Sequence, residues 1–143
     1  MASIVYYSLT GQTRRFINKV QGFDTYEISS AVAPVTMTEP FIMVIPSYES
    51  HVYGDVIETA EEFLEWADNA KLCKGFFGGG NRNFAQLFCV TVKELSAEFD
   101  IPVLHGFEFQ GSAYDVAKLT EELEKIDRYQ EIKNWKYERH YLL

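Results

Sequence analysis

In the stretch SLTGQT, Ser8, Thr10 and Thr13 surround Gly11, and hydroxyls at that spacing donate hydrogen bonds to an anion. The glycine permits a tight turn and close approach of a ligand to the backbone. The stretch has neither the lysine of a Walker loop nor the three glycines of a dinucleotide fingerprint. Its donors are therefore neutral and suit a single terminal phosphate, although taken alone they describe an ordinary helix entry equally well. Two further stretches suit a flat ligand. SYESHVYGD places Tyr48 and Tyr53 beside Gly54, rings able to stack on a planar group whose edge the backbone can meet. GGGNRNF removes obstructing side chains with three glycines, then offers the amides of Asn81 and Asn83 and the ring of Phe84.

Each stretch follows a strand-like run. Strands are expected at residues 3–7, 25–28, 41–46, 72–80 and 101–109, the third (FIMVIP) apolar throughout, as a strand buried on both faces must be. Helical spacing marks 13–20, and a second helix is expected from an Asp55 N-cap with Glu58 three residues on and Ile57, Ala60, Phe63, Leu64 and Ala67 on one face. Residues 84–99 and 113–128 complete the set, and the Pro- and Ser/Thr-rich stretch before the third strand reads as a loop. Five strands interleaved with four helices predict an α/β fold: a flavodoxin-like, doubly wound parallel sheet of order 2-1-3-4-5 with helices on both faces. In that order the sheet reverses between strands 1 and 3, and the crevice beyond their C-terminal ends takes the ligand. Phosphate donors after strand 1 and planar-ring walls after strands 3 and 4 together describe a mononucleotide with a large aromatic head. FMN is the natural candidate.

Composition narrows the alternatives. The chain has 143 residues, 47% apolar and 24% charged, and thirteen basic side chains against twenty-one acidic ones give a net charge of −8. That balance opposes nucleic-acid binding, which depends on counterion release by Lys and Arg. Residues 1–128 are expected to form the FMN-binding domain, and 129–143, rich in Tyr, Trp and charge, to continue the last helix or form a tail. Cys73 and Cys89 are not at CxxC spacing and read as reduced cysteines in apolar surroundings. His51, His105 and His140 are too scattered for a metal site, and His105 reads as a hydrogen-bonded structural residue. No triad or Cys-His arrangement is legible, so no catalytic side chain is expected and a flavin must carry the chemistry. With no apolar run of about 18 residues and no leader, the expectation is a soluble, cytoplasmic protein without a membrane partner. Glu58, Glu61, Glu62 and Glu65 fall on the exposed side of the second helix, a solvated face that can also steer a basic surface.

Three stretches, YYSLTGQTRRF, GGNRNF and IPVLHGFEFQGSAYDV, carry a resemblance to the NrdI family over about residues 3–126. That resemblance implies an FMN protein whose hydroquinone reacts with dioxygen to give superoxide or peroxide. The oxidant is delivered to the radical (beta) subunit of class Ib ribonucleotide reductase, where it assembles the dimanganese-tyrosyl radical cofactor. An unidentified flavin reductant is implied as a further partner. Carried over by motif, Ser8, Thr10, Gly11, Gln12 and Thr13 hold the phosphate. Ser47, Tyr48, Tyr53 and Gly54 border the isoalloxazine from the second loop, and Gly80, Asn81, Asn83 and Phe84 from the third. The second loop departs from the family pattern, which has threonine before the tyrosine and small residues, glycine among them, after it. Here Ser47 precedes Tyr48, and Glu49, Ser50, His51 and Val52 follow. A Glu49 carboxylate aimed at an anionic reduced flavin makes reduction harder by charge repulsion. Two alternatives stay open: a general flavodoxin electron carrier, and a flavin-free binding module.

Overall fold

The five runs of strand character pair into one sheet. In the computed structural model, which describes residues 1–47, 50–81 and 89–142, with side chains described outside 50–53 and 137–142, they are β1 (Ser3–Tyr7), β2 (Asp24–Ile28), β3 (Phe41–Pro46), β4 (Cys73–Gly80) and β5 (Val103–Glu108). The sheet order is β2-β1-β3-β4-β5, and every pairing is parallel. The two strands flanking the reversal, β1 and β3, are buried at every position.

Side chains alternate across a strand, and here the alternation feeds two cores. Val5, Tyr7, Phe41, Met43, Ile45 and Phe76 point to one face, and Ile4, Tyr6, Ile42, Val44 and Phe77 to the other. The first face is covered by α2 (Ser50–Glu65) and α4 (Val90–Phe99) through Val56, Phe63, Leu64, Val92 and Leu95; the short α3 (Asn69–Leu72) lies between α2 and β4. The second is covered by α1 (Gln12–Asn18) and α5 (Ala113–Leu142) through Phe16, Ile17, Leu119 and Leu123. Each fully buried Phe, Ile or Leu contributes about 1.5–3 kcal/mol, and these rows hold the C-terminal ends of β1, β3 and β4 side by side.

Two expectations need correction, and one short element is added. The helix expected to start at an Asp55 cap begins at Ser50, because the Asp55 carboxylate accepts a hydrogen bond from the Tyr7 hydroxyl on β1 rather than capping its own helix. The helix expected over 84–99 does not run through unbroken: Cys89 is left-handed, with φ 58°, and α4 starts after it; residues 82–88 lie outside the described residues. The turn α3 was not anticipated. It is fixed by Asn69, which is fully buried and whose amide bonds the backbone of Met37, Val35 and Phe63.

The last helix continues to Leu142. At 1.5 Å per residue its 30 residues span about 45 Å, whereas five- to eight-residue strands span roughly 17–27 Å. Burial on α5 follows this mismatch: Leu119 and Leu123 are buried, while every residue from 131 to 136 is exposed.

Candidate functional site

The hydroxyl loop lies where β1 hands over to α1, at the sheet's reversal. Gly11 is the residue before the helix, left-handed at φ 91°, and has no side chain to cap it. Ser8 compensates from three residues back, its Oγ accepting the Arg14 amide at 3.2 Å. The first helical bond runs from the Arg15 amide to the Gly11 carbonyl at 3.0 Å, so the amides of Gln12 and Thr13 have no acceptor within the helix. Thr10 is exposed, Ser8, Gly11 and Gln12 are half-buried, and Thr13 is buried. A seven-residue helix has a small dipole, so local amides and hydroxyls, rather than the macrodipole, set the anion preference here.

Of the two arginines that follow this loop, Arg14 is already engaged. Arg14 donates to Glu27 on β2 through Nε at 2.8 Å and a terminal nitrogen at 2.9 Å, a bidentate pair. Those bonds hold the Glu27 carboxyl below the usual carboxylate range against its partial burial, while burial and then Glu27 push the Tyr6 phenol up. Residues 8–13 themselves offer only neutral donors.

After β3, Ser47 joins two elements. Its amide donates to the Gly79 carbonyl at 2.7 Å, and its hydroxyl accepts the Thr91 amide at 3.1 Å. Ser47 therefore caps α4, whose own N-cap residue Cys89 makes no side-chain capping bond and donates to the Gly78 carbonyl instead. Tyr48 and Glu49 lie outside the described residues, as does the side chain of Tyr53. Tyr53 and Gly54, read from the sequence as loop residues, stand on α2. Gly54 is exposed and has open space around it. The Tyr7–Asp55 bond, which ties α2 to the last residue of β1 beside the hydroxyl loop, was missed: Tyr7 read only as a strand residue and Asp55 only as a cap.

After β4 the glycines serve a different purpose from the one expected for two of the three. A Cβ on Gly78 would stand 2.4 Å from Val92 Cγ2, and one on Gly79 would stand 2.9 Å from Phe107 Cζ. These glycines admit α4 and an aromatic ring against the sheet rather than clear room for a ligand. Gly80 ends the strand opposite Glu108, and Asn81 follows it, half-buried. Asn83 and Phe84 lie outside the described residues.

Elsewhere the titratable groups are structural. His105 Nε2 lies 2.7 Å from Asp115 Oδ1, and Asp115 also accepts the Ser112 amide and hydroxyl, a capping box at the start of α5. Burial pulls the Asp115 carboxyl up, but the Ser112 amide, the His105 ring and the Ser112 hydroxyl together leave it below its ordinary value. Both cysteines are buried and outside any disulfide, and burial pushes the Cys73 thiol up to about 12. Among the described residues no group of three His, Cys, Asp or Glu could hold a metal ion, and no helix is long and apolar enough to cross a membrane.

The donors after β1 fit the phosphate end of FMN. They are neutral and partly solvent-facing, and a Cβ built on Gly11 meets nothing within 4 Å, so open space stands over the turn where a phosphate would sit. Comparison with known proteins agrees with that fold. The family model described as NrdI Flavodoxin like matches residues 4–121. The chain belongs to the NrdI flavodoxin-like family. Protein NrdI of Bartonella bacilliformis is 33% identical over 128 residues, covering 88% of this chain and 98% of that protein. Protein NrdI of Brucella ovis is also 33% identical over 128 residues, covering 95% of its length. Among solved structures, oxidised Flavodoxin 2 from Bacillus cereus superposes with a TM-score of 0.60 at 17% identity, covering 90% of this chain and 98% of that one. Two-electron reduced Megasphaera elsdenii flavodoxin gives 0.58 at 21%, covering 87% and 99%. The flavodoxins show the fold; the NrdI proteins show the family.

Proposed function

We propose that the chain is an FMN-binding redox protein that, once reduced, gives electrons to dioxygen. The resulting superoxide or peroxide goes to the radical subunit of class Ib ribonucleotide reductase for assembly of its dimanganese-tyrosyl radical cofactor. The observation that carries this reading is a neutral donor loop at the sheet's reversal in a chain of the NrdI family. Bound FMN supplies the redox chemistry, accepting electrons from a separate flavin reductant and releasing them to dioxygen. One electron per dioxygen gives superoxide; two electrons and two protons give hydrogen peroxide.

The chain's own part is to bind and orient. Ser8, Thr10, Gly11, Gln12 and Thr13 hold the phosphate through hydroxyl and amide hydrogen bonds, and the pairing of Arg14 with Glu27 keeps a mobile cation from competing for that geometry. Ser47, Tyr48, Tyr53 and Gly54 on one side and Gly80, Asn81, Asn83 and Phe84 on the other border the ring. The Tyr7–Asp55 bond fixes the start of α2 relative to the phosphate loop.

The test is anaerobic reduction of the FMN-loaded chain, then mixing with manganese(II)-loaded radical subunit and air, with the tyrosyl radical read by electron paramagnetic resonance. Radical that forms only when the reduced, FMN-loaded chain is present is the expected result. An FMN-loaded chain that yields no radical but reduces a flavodoxin acceptor makes it an electron carrier, and a chain that binds no FMN removes both readings.

A further inference from the structure

The overhang of α5 is the part of the molecule that neither the fold nor the site explains. The family match ends at residue 121, and the NrdI relatives align over almost their whole length while leaving part of this chain uncovered. Beyond Ile126, which still packs on the second core, Tyr129, Ile132 and Trp135 are 63%, 55% and 56% exposed. At 100° per residue, Arg128, Ile132, Trp135 and Lys136 share one side of the helix. A helical segment whose described side chains from 131 to 136 are all exposed is marginal in water.

Charge is divided unevenly between this overhang and the body. Residues 128–143 hold four of the thirteen lysines and arginines but only two of the twenty-one acidic residues. The acid is densest on α2, where Glu58, Glu61, Glu62 and Glu65 line a shallow groove of about 470 Å³ floored by Trp66. Trp66 is 49% exposed, and its indole nitrogen is held by Thr36 at 3.0 Å. These carboxylates repel one another: a hydrogen bond shared with Glu98 of α4, then burial, then the charges of Glu98, Glu65 and Glu58 raise the Glu61 carboxyl. A cationic, partly aromatic surface is what relieves such a groove.

The chain cannot satisfy it alone, because α2 covers one face of the sheet and α5 the other. Yet both features lie at the same end. Asn69 of α3 bonds both Phe63 near the end of α2 and Met37 in the stretch that enters β3, and Asp127 on α5 accepts the amide of Ala2 at the entry to β1. Two copies placed end to end about a two-fold axis bring each overhang, about 22 Å long from residue 128 to 142, to the other's acidic groove. From these placements we infer that the chain forms an isologous dimer in which the basic, aromatic side of each α5 overhang docks on the α2 groove of the second copy. The strand ends that carry the proposed cofactor site stay uncovered at the opposite end, so the dimer does not depend on the function proposed above.

Sedimentation velocity of the full chain at 5–200 μM, at low and high salt, tests it. The expected result is a dimer that weakens with salt, and that becomes monomeric both in Arg128→Glu/Lys136→Glu and in Glu62→Lys/Glu65→Lys. Mixing the two variants restores both contacts and should return a heterodimer. Circular dichroism of each variant, matching the parent, separates lost docking from lost folding. A parent that stays monomeric throughout, variants that dimerise like the parent, folded variants that stay monomeric when mixed, or an overhang that binds anionic vesicles in place of a second copy would each overturn the inference.

Discussion

Replacing Gly11 with alanine separates the site from the fold because the protein contains a matched control. Gly11 and Gly22 have nearly the same backbone, φ 91° and 88°, and a Cβ built on either meets nothing within 4 Å. The steric term is therefore absent at both, and what remains is the cost of an L-residue at positive φ, about 1–2 kcal/mol. Gly11→Ala and Gly22→Ala should each lower the urea stability of the FMN-free chain by that amount. Only Gly11 borders the proposed phosphate site, where the new methyl occupies the open space over the turn. Pushing the phosphate off one hydrogen bond to a charged group costs about 1.5–3 kcal/mol, which is a roughly 10- to 150-fold rise in the Kd for FMN. Quenching of FMN fluorescence reads the affinity, and urea titration reads the stability. If Gly11→Ala binds FMN as tightly as the parent, or if the two variants lose affinity equally, the phosphate does not sit on this turn.

Three further substitutions probe the frame around the site. Asn69→Ala leaves the buried Met37 amide without a partner and takes one donor each from the Val35 and Phe63 carbonyls and should cost about 2–4 kcal/mol in urea titration; a loss below about 1 kcal/mol contradicts that reading. Thr91 Oγ1 is buried without a partner among the described residues, so Thr91→Val should hold or raise stability by up to about 1 kcal/mol, and a clear loss means the hydroxyl is bonded in solution. Asp115→Asn should cost about 1 kcal/mol at neutral pH. Because the folded carboxyl lies below its ordinary value, its contribution is complete above the unfolded pKa and disappears as pH falls through the folded one. The gap between parent and variant in urea titrations should begin to narrow below about pH 4 and close only once the pH has passed below the folded carboxyl's own value, and a gap that stays constant with pH excludes the carboxylate as its source.

Much of this architecture is legible from residue types because parallel strands buried on both faces leave little ambiguity. FIMVIP has no polar position, and β1 and β4 are nearly as apolar. The pace of alternation gives a parallel sheet, and five strands in a chain of this size select its order between the two common ones. What escaped notice depends on contacts between distant residues. Asp55 with Glu58 looks like a capping box until Tyr7, 48 residues away, is found to donate to that carboxylate. Ser47 reads as a loop residue beside a ring, yet its hydroxyl caps α4 from another strand. Gly78 and Gly79 suggest space for a ligand, and only the positions of Val92 and Phe107 show that the protein's own side chains use that space. The hydroxyl-rich turn into α1 was legible because its parts are local: the turn, its glycine and the helix entry all fall within six residues.

The most direct test of the central claim is a comparison of FMN with riboflavin, which carries the same ring without the phosphate, by fluorescence quenching against the purified full chain. The hydroxyls and amides of residues 8–13 predict one FMN per chain and riboflavin bound at least about 100-fold more weakly, since two or more hydrogen bonds to a charged group are lost. Equal affinity for the two, or no binding of either, would contradict a phosphate seated at the reversal of this sheet.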